Sequence, residues 1–336
     1  MKPDPWYLEN TVCPRHQRAF DWDGSRLTCP DGDAYEVVSG IPVLLVDDAE
    51  HTHESAAKSL AAAVSGTAPP ATPLAVGEGI HPFVQRMLLA TNGIMYESVR
   101  LSEYPIPEIR LPTARGNDLL LDIGCNWGRW CVAAGRRGYS VVGLDPSLEA
   151  VLAARSVTKQ LGVDARFVVG DARFLPFRSN LFDVVFSYSV LQHFSKANVR
   201  SSLGSIQRIL KADGVTVIQM LNTFGLRTSY NRARHAFAPP HVFDVRYWTP
   251  AELCAAFSET IGPAQVFVDG FFSANAQRAE AHLLPLRYRA VVHLSDSLRK
   301  LAQRVPGLAQ LADSLYVASS RDPGRIAEVG QYMNAA

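Results

Sequence analysis

Short apolar runs, each closed by an acid or a serine, recur along the middle of this chain. Leu119-Leu-Leu runs into Asp122, Ser140-Val-Val-Gly-Leu into Asp145, Arg166-Phe-Val-Val-Gly170 into Asp171, and Phe182-Asp-Val-Val-Phe into Ser187. Runs of this length between turn formers read as buried strands. The intervening polar and apolar positions follow helical spacing, which predicts helices at about 127–137, 148–161 and 198–210. Lys211-Ala-Asp213-Gly214 is expected to stop the last helix before a fifth strand over Val215–Met220. Ala264–Asp269 and Ser314–Ala318 supply a sixth and a seventh strand, with a helical insertion at about 281–311 between them. Strands alternating with helices through right-handed crossovers imply an α/β fold, a doubly wound, mostly parallel seven-stranded sheet covered on both faces.

The pattern changes towards the amino terminus. Residues 1–48 are rich in acids and turn formers and end in Gly40-Ile-Pro-Val-Leu-Leu-Val46, which suggests a small ribbon of hairpins. Residues 49–79 shift to Ala, Ser, Thr, Pro and Gly and are expected to be a linker. Within them Ser55–Val64 could form a short helix, and Gly66-Thr-Ala-Pro-Pro-Ala-Thr-Pro reads as mobile. Helical periodicity resumes at His81–Arg100, so residues 80–116 form a helical segment ahead of a domain over 117–320.

Ligands of open α/β sheets bind beyond the carboxyl ends of the strands. Here those ends carry Asp122, Asp145, Asp171 and Ser187. Gly124 and Gly128 let the chain turn tightly from the first strand into a helix, and Asp145 stands 23 residues after Asp122, near the spacing at which an acid reaches ribose hydroxyls. A nicotinamide-binding turn asks for Gly-x-Gly-x-x-Gly, whereas the residue two beyond Gly124 is Asn126.

From about Leu119 to Met220 this series resembles the class I, Rossmann-like S-adenosylmethionine-dependent methyltransferases. The resemblance rests on the acid-Gly-x-x-x-Gly turn, the acid after the second strand, Gly170-Asp171-Ala172 and Phe182-Asp-Val-Val-Phe-Ser187. It implies S-adenosyl-L-methionine as cofactor. Asp122, Gly124 and the backbone at Ser187 would shape the methionine end, with Asn126 and Gly128 on the same turn. Asp145 would take the ribose hydroxyls, Asp171 the adenine amino group, with the Ala172 backbone beside it and Pro146 against a ring face. The segment before the first strand often forms a lid in this family, which makes Tyr96 and Tyr104 substrate candidates.

Cys13-Pro-Arg-His16 is followed after twelve residues by Cys29-Pro-Asp-Gly-Asp33. The order resembles a zinc-ribbon module that activates some methyltransferases in trans and precedes others in the same chain. Cys13, His16, Cys29 and Asp33 are the expected zinc ligands. Asp33 stands where sulfur or nitrogen is preferred in structural sites, so a ribbon that packs without metal is the alternative.

Composition narrows the partners. A formal net charge of +1 provides no global attraction for nucleic acid or an anionic membrane. Five scattered cysteines argue against a disulfide framework. Without an apolar signal core or a run of about 18 apolar residues, a cytoplasmic protein with no membrane partner is expected. The oligomeric state is not encoded in any visible pattern. The one basic stretch is Asn222–Tyr247, where Arg227, Arg232, Arg234 and Arg246 face a single acid, Asp244.

Methyl transfer from a sulfonium is an in-line displacement, so much of its acceleration can come from positioning. An oxygen or nitrogen acceptor also benefits from a base. His193, just past the fourth strand, is the first candidate because histidine titrates near working pH. Tyr188 and Tyr96 are the further catalytic candidates, and Gln192 a positional one. The expected activity is methyl transfer to a small molecule. RNA or protein modification guided by the ribbon, other chemistry on the same sulfonium such as aminocarboxypropyl transfer or cyclisation, and a non-catalytic binding module remain open at this point.

Overall fold

The computed structural model of the chain describes residues 3–50, 53–67, 78–234 and 245–335. The amino-terminal stretch comprises a short helix, α1 (Pro5–Asn10), and four strands, β1 (Asp21–Trp22), β2 (Arg26–Thr28), β3 (Ala34–Val38) and β4 (Ile41–Leu44), paired as successive antiparallel hairpins. Two helices follow, α2 (Glu54–Ser65) and α3 (Pro82–Asn92). Pro82 opens α3, where a missing N–H costs nothing, and the His81 imidazole accepts from Phe83 N as its cap.

The central sheet is built from β5 (Leu119–Ile123), α4 (Arg129–Arg136), β6 (Ser140–Asp145), α5 (Leu148–Gln160), β7 (Ala165–Gly170), β8 (Phe182–Ser187), α6 (Lys196–Ile209) and β9 (Leu210–Leu221). The chain continues through α7 (Leu226–Arg234), α8 (Pro250–Thr260), β10 (Ala264–Gly270), α9 (Leu286–Ala302), α10 (Pro306–Ala309), β11 (Ser314–Ser320) and α11 (Pro323–Ala335). The seven main strands lie in the order β7-β6-β5-β8-β9-β11-β10, and only β11 runs antiparallel to its neighbours.

Successive residues of a strand face opposite sides, and both sides here are buried. Leu121 and Ile123 pack with Leu203, Ile206 and Phe257 on one face, whereas Leu120 joins Ala134, Val151 and Val329 on the other. That double burial explains why the central strands read as continuous apolar runs. It also leaves the strand ends as the place where polar side chains gather.

Three details differ from the sequence reading. The sheet has eleven strands, because β4 pairs in parallel with β7 at Val43↔Val169 and Leu44↔Gly170, so the ribbon extends the main sheet. Strand β9 starts at Leu210 instead of Val215. Leu210 pairs with Phe182 and Val215 with Val184, so Lys211–Gly214 is an outward bulge, held by Lys211 Nζ at 2.8 Å from both Asp183 oxygens. The stretch after Asn222 contains a regular helix, α7. His51 and most of Gly66–Pro73 lie outside the described residues, as do His235, His241 and Asp244.

Candidate functional site

The turn between β5 and α4 is stitched to β6 by Gly124 N and Cys125 N, which both donate to Leu144 O at 2.7 and 3.1 Å. Gly124 has φ +75°, and a Cβ there would lie 2.2 Å from Val190 Cγ2. Only glycine permits that approach. Asn126, at φ +45°, takes the left-handed conformation that asparagine tolerates, and its Oδ1 accepts from Trp127 N at 2.8 Å.

Two acids face this turn. Asp145 accepts from Asn126 N at 3.0 Å and Ser147 N at 2.9 Å, and burial pushes its pKa up to about 6 against the pull of those donors. Asp122 is 1% exposed, and Cys131 Sγ donates to its Oδ2 at 3.3 Å. Burial raises Asp122 to about 7. Its Oδ1 has no hydrogen-bond partner among the described residues. The same is true of Nε and Nη1 of Arg129, which is 4% exposed on the first turn of α4. A buried acceptor and two buried donors without partners are costly unless a ligand satisfies them.

The remaining cofactor candidates sit along the same strand edge. Ser187 Oγ donates to Ile123 O at 3.0 Å and ties β8 to β5. Pro146 is half-buried, and its carbonyl accepts from Ser59 Oγ of α2 at 2.8 Å. Ala172 is buried beside Asp171. Both oxygens of Asp171 are engaged by Arg173, at 2.7 Å from Nη2 to Oδ2 and 3.1 Å from Nε to Oδ1. Gly128 has φ +84° and lies against Ala154.

Tyr96 and Tyr188, two of the catalytic candidates, each sit in a polar cluster. Tyr96 Oη donates to Glu280 Oε1 at 3.3 Å, and Glu280 also accepts from Arg129 Nη2 at 3.0 and 3.1 Å. Burial holds the Tyr96 phenol well above its ordinary value. Tyr188 Oη donates to Asp269 Oδ2 at 3.0 Å, and Arg110 Nη1 and Ser314 Oγ donate to the same carboxylate at 3.0 and 2.7 Å. Burial, followed by the Asp269 charge, raises the Tyr188 phenol, which keeps its proton. His193 closes a 3-10 turn over Leu191–His193, is half-buried, and its carbonyl accepts from Arg246 Nη1 at 2.6 Å. Gln192 is 6% exposed. Tyr104 is committed elsewhere, donating to Gln160 Oε1 at 2.6 Å and accepting from His81 N.

Arg110, Asp269 and Glu280 were not singled out from sequence. Asp269 ends a strand like the other acids and was visible in that pattern. Glu280 had a local signal, three residues after Gln277, with which it forms a reciprocal cap. Its pairing with Arg129, 151 residues away, had none.

In the ribbon, Cys13, His16, Cys29 and Asp33 bring one ligand atom each within 4.8 Å of one another. Sγ of Cys13 lies 3.7 Å from His16 Nδ1 and 3.3 Å from Asp33 Oδ2, and Sγ of Cys29 lies 3.9 Å from His16 Nδ1. Tetrahedral zinc with ordinary bond lengths separates sulfur from nitrogen or oxygen by about 3.6 Å. The four residues therefore fit the ion. Arg15 Nε stands 3.8 Å from Asp33 Oδ1, a positive charge beside a ligand set with one excess negative charge.

Comparison with known proteins places this edge in context. The family described as a methyltransferase domain matches residues 121–218. An uncharacterized methyltransferase, YcgJ, of Bacillus subtilis is 33% identical over 107 residues, 32% of this chain and 42% of that protein. A ubiquinone biosynthesis O-methyltransferase of Bartonella quintana is 29% identical over 31% of this chain and 41% of its own length. The matched part thus spans about two fifths of these relatives. The crystal structure of a SAM-dependent methyltransferase from Methanosarcina mazei covers 62% of this chain and 94% of its own, at 17% identity and a TM-score of 0.46.

Proposed function

Taking as premise that the chain carries a class I S-adenosylmethionine-dependent methyltransferase domain, we propose that it transfers a methyl group from S-adenosylmethionine to a small-molecule acceptor. One observation carries the reading: the β5–α4 turn holds a buried acceptor, Asp122 Oδ1, and buried donors, Arg129 Nε and Nη1, without partners. An ammonium and a carboxylate on one carbon, the methionine end of the cofactor, are the complementary pair. Asp122 accepts from the ammonium and Arg129 donates to the carboxylate, where planar donors suit planar oxygens. Asp145 accepts from the ribose hydroxyls. Pro146 and the Asp171-Ala172 turn would hold the adenine, with Arg173 fixing the Asp171 carboxylate.

When bound, the cofactor supplies an electrophilic methyl on a sulfonium centre. Tyr188, locked to Asp269 and packed 4.7 Å from the Trp130 ring, forms a wall of the crevice. His193 receives the proton of a hydroxyl or amine acceptor, and positioning supplies the rest of the acceleration. Cys13, His16, Cys29 and Asp33 would hold one structural zinc ion.

The test is incubation of the full chain with S-adenosylmethionine and fractionated metabolite pools, read by mass spectrometry. S-adenosylhomocysteine together with a product heavier by one methylene supports the proposal. Methylthioadenosine in its place would redirect it to transfer of the aminocarboxypropyl group, and tight binding with no product in any pool would leave a binding module.

A further inference from the structure

Helix α7 is turned the wrong way round for a helix of a water-soluble surface. Its nine residues bury only Thr228. At 3.6 residues per turn, Leu226, Tyr230 and Ala233 share one face, and Thr228 lies roughly opposite. The apolar face thus points outwards: Leu226 is 42% exposed and Tyr230 62%, and Phe224, just ahead of the helix, is 50% exposed. Amphipathic helices on a globule normally place that face inwards.

The charges flanking this face have one sign. Arg227 and Arg234, seven residues apart, lie on one side of the apolar stripe, with Arg234 5.8 Å above the Tyr230 ring. No acid occurs from Asn222 to Arg234. A helix this short is not stable by its own hydrogen bonds. Asp313 holds it, accepting from Thr228 N at 2.8 Å and packing so closely on Gly225 that a Cβ would meet its Oδ1 at 2.4 Å. Leu226 N also donates to the carbonyl of Leu311, itself 40% exposed. The outward face is fixed in place, beside the carboxyl end of β9.

We propose that α7 is an interfacial helix that docks the protein on an anionic lipid surface. The stripe of Phe224, Leu226 and Tyr230 enters the headgroup boundary, and Arg227 and Arg234 meet the lipid phosphates. Charge complementarity selects this occupant: an apolar stripe bordered by arginines matches a surface with acyl chains below and phosphates above. The expectation of no membrane partner came from a small net charge and the lack of a long apolar run. Lying on a bilayer needs only a local face, and no helix among the described residues is long and apolar enough to cross one.

The test uses the full chain in co-sedimentation with vesicles of phosphatidylcholine alone and of phosphatidylcholine mixed with phosphatidylglycerol. Binding to the mixed vesicles only, weakened by salt, is expected. Arg227→Gln with Arg234→Gln should reduce partitioning about 25-fold, near fivefold per arginine at the surface. Leu226→Ser with Tyr230→Ser should abolish it while the melting temperature stays unchanged. If the serine variant fails to fold, the arginine variant alone carries the decision. Absence of wild-type binding to mixed vesicles would overturn the proposal. So would a wild-type dimer that the serine variant turns into a monomer in light scattering, or oligonucleotide binding that depends on the two arginines without any vesicle binding.

Discussion

Arg129 and Glu280 form a buried ion pair in which one guanidinium nitrogen donates to both carboxylate oxygens, at 3.0 and 3.1 Å. The pair joins the first turn of α4, directly after the glycine turn, to the 3-10 turn that opens the helical insertion. It therefore fixes the guanidinium whose Nε and Nη1 are buried without hydrogen-bond partners among the described residues.

Removing one partner of such a pair leaves a charge buried without compensation, which costs about 3–5 kcal/mol. Glu280→Ala should lower unfolding stability by roughly 3 kcal/mol in urea denaturation and weaken S-adenosylmethionine at the same time. A loss below about 1 kcal/mol, the scale of an exposed pair, would show that the cluster is solvated in solution.

Cofactor binding should depend on pH through Asp122. Its pKa of about 7 lies above the ordinary carboxylate range, so the folded, unliganded protein keeps a proton that the unfolded chain has released. Stability from this group is full below about pH 4 and lost as pH rises through 7, and Asp145, near 6, adds the same sign. An ammonium ligand prefers the ionised form, so affinity moves the other way. Calorimetry should find S-adenosylmethionine binding roughly tenfold tighter at pH 7 than at about pH 5.5, a range in which the ligand amine stays protonated. Asp122→Asn should bind more weakly and flatten that profile; a wild-type affinity independent of pH would remove Asp122 from the ammonium.

His193 and Tyr188 separate by substitution. His193→Ala should lower turnover about 10²–10⁴-fold with cofactor affinity preserved, the usual worth of a positioned base. Tyr188→Phe removes one donor to Asp269 and should cost about 1–3 kcal/mol of stability with a much smaller change in turnover, because its phenol keeps its proton. Equal losses of turnover, affinity and melting temperature in His193→Ala would assign the histidine to loop order.

Protein purified without chelator should carry about one zinc per chain by elemental analysis, the capacity of one tetrahedral site. Chelation, or Cys29→Ser, should lower the melting temperature, since Cys13 and Cys29 share a buried cluster with Val168 of β7. Metal-free protein that melts identically with and without chelator would leave a ribbon held by packing alone.

The strand edge was legible from sequence because buried parallel strands are short and apolar, and the polar residue ending each one is left at the carboxyl edge of the sheet. Asp122, Asp145, Asp171 and Ser187 all followed from that single rule. Cys13, His16, Cys29 and Asp33 were expected together from the resemblance to a zinc-ribbon module, and the ribbon hairpins bring them together. Partnerships across long separations were not: Arg129 with Glu280, and Tyr188 with Asp269, need the packing of the insertion and of β10 against the sheet, which no short-range pattern encodes. The outward face of α7 was hidden as well. Its arginines were visible as a patch, but which side the helix buries depends on Asp313, far along the chain.

The parallel pairing of β4 with β7 sets an order on synthesis. The ribbon leaves the ribosome before β7, and its hairpins between Asp21 and Leu44 close over short loops. Its docking edge, Val169 and Gly170, is made only after more than a hundred further residues. Contacts that distant are slow to form. Until then β4 is an exposed edge with unpaired backbone groups and the apolar sequence Ile41-Pro-Val-Leu-Leu, the kind of edge that recruits strands from other chains. Pro42, which cannot donate to a ladder, is a built-in guard during that interval. Replacing it would raise the yield of aggregates during translation.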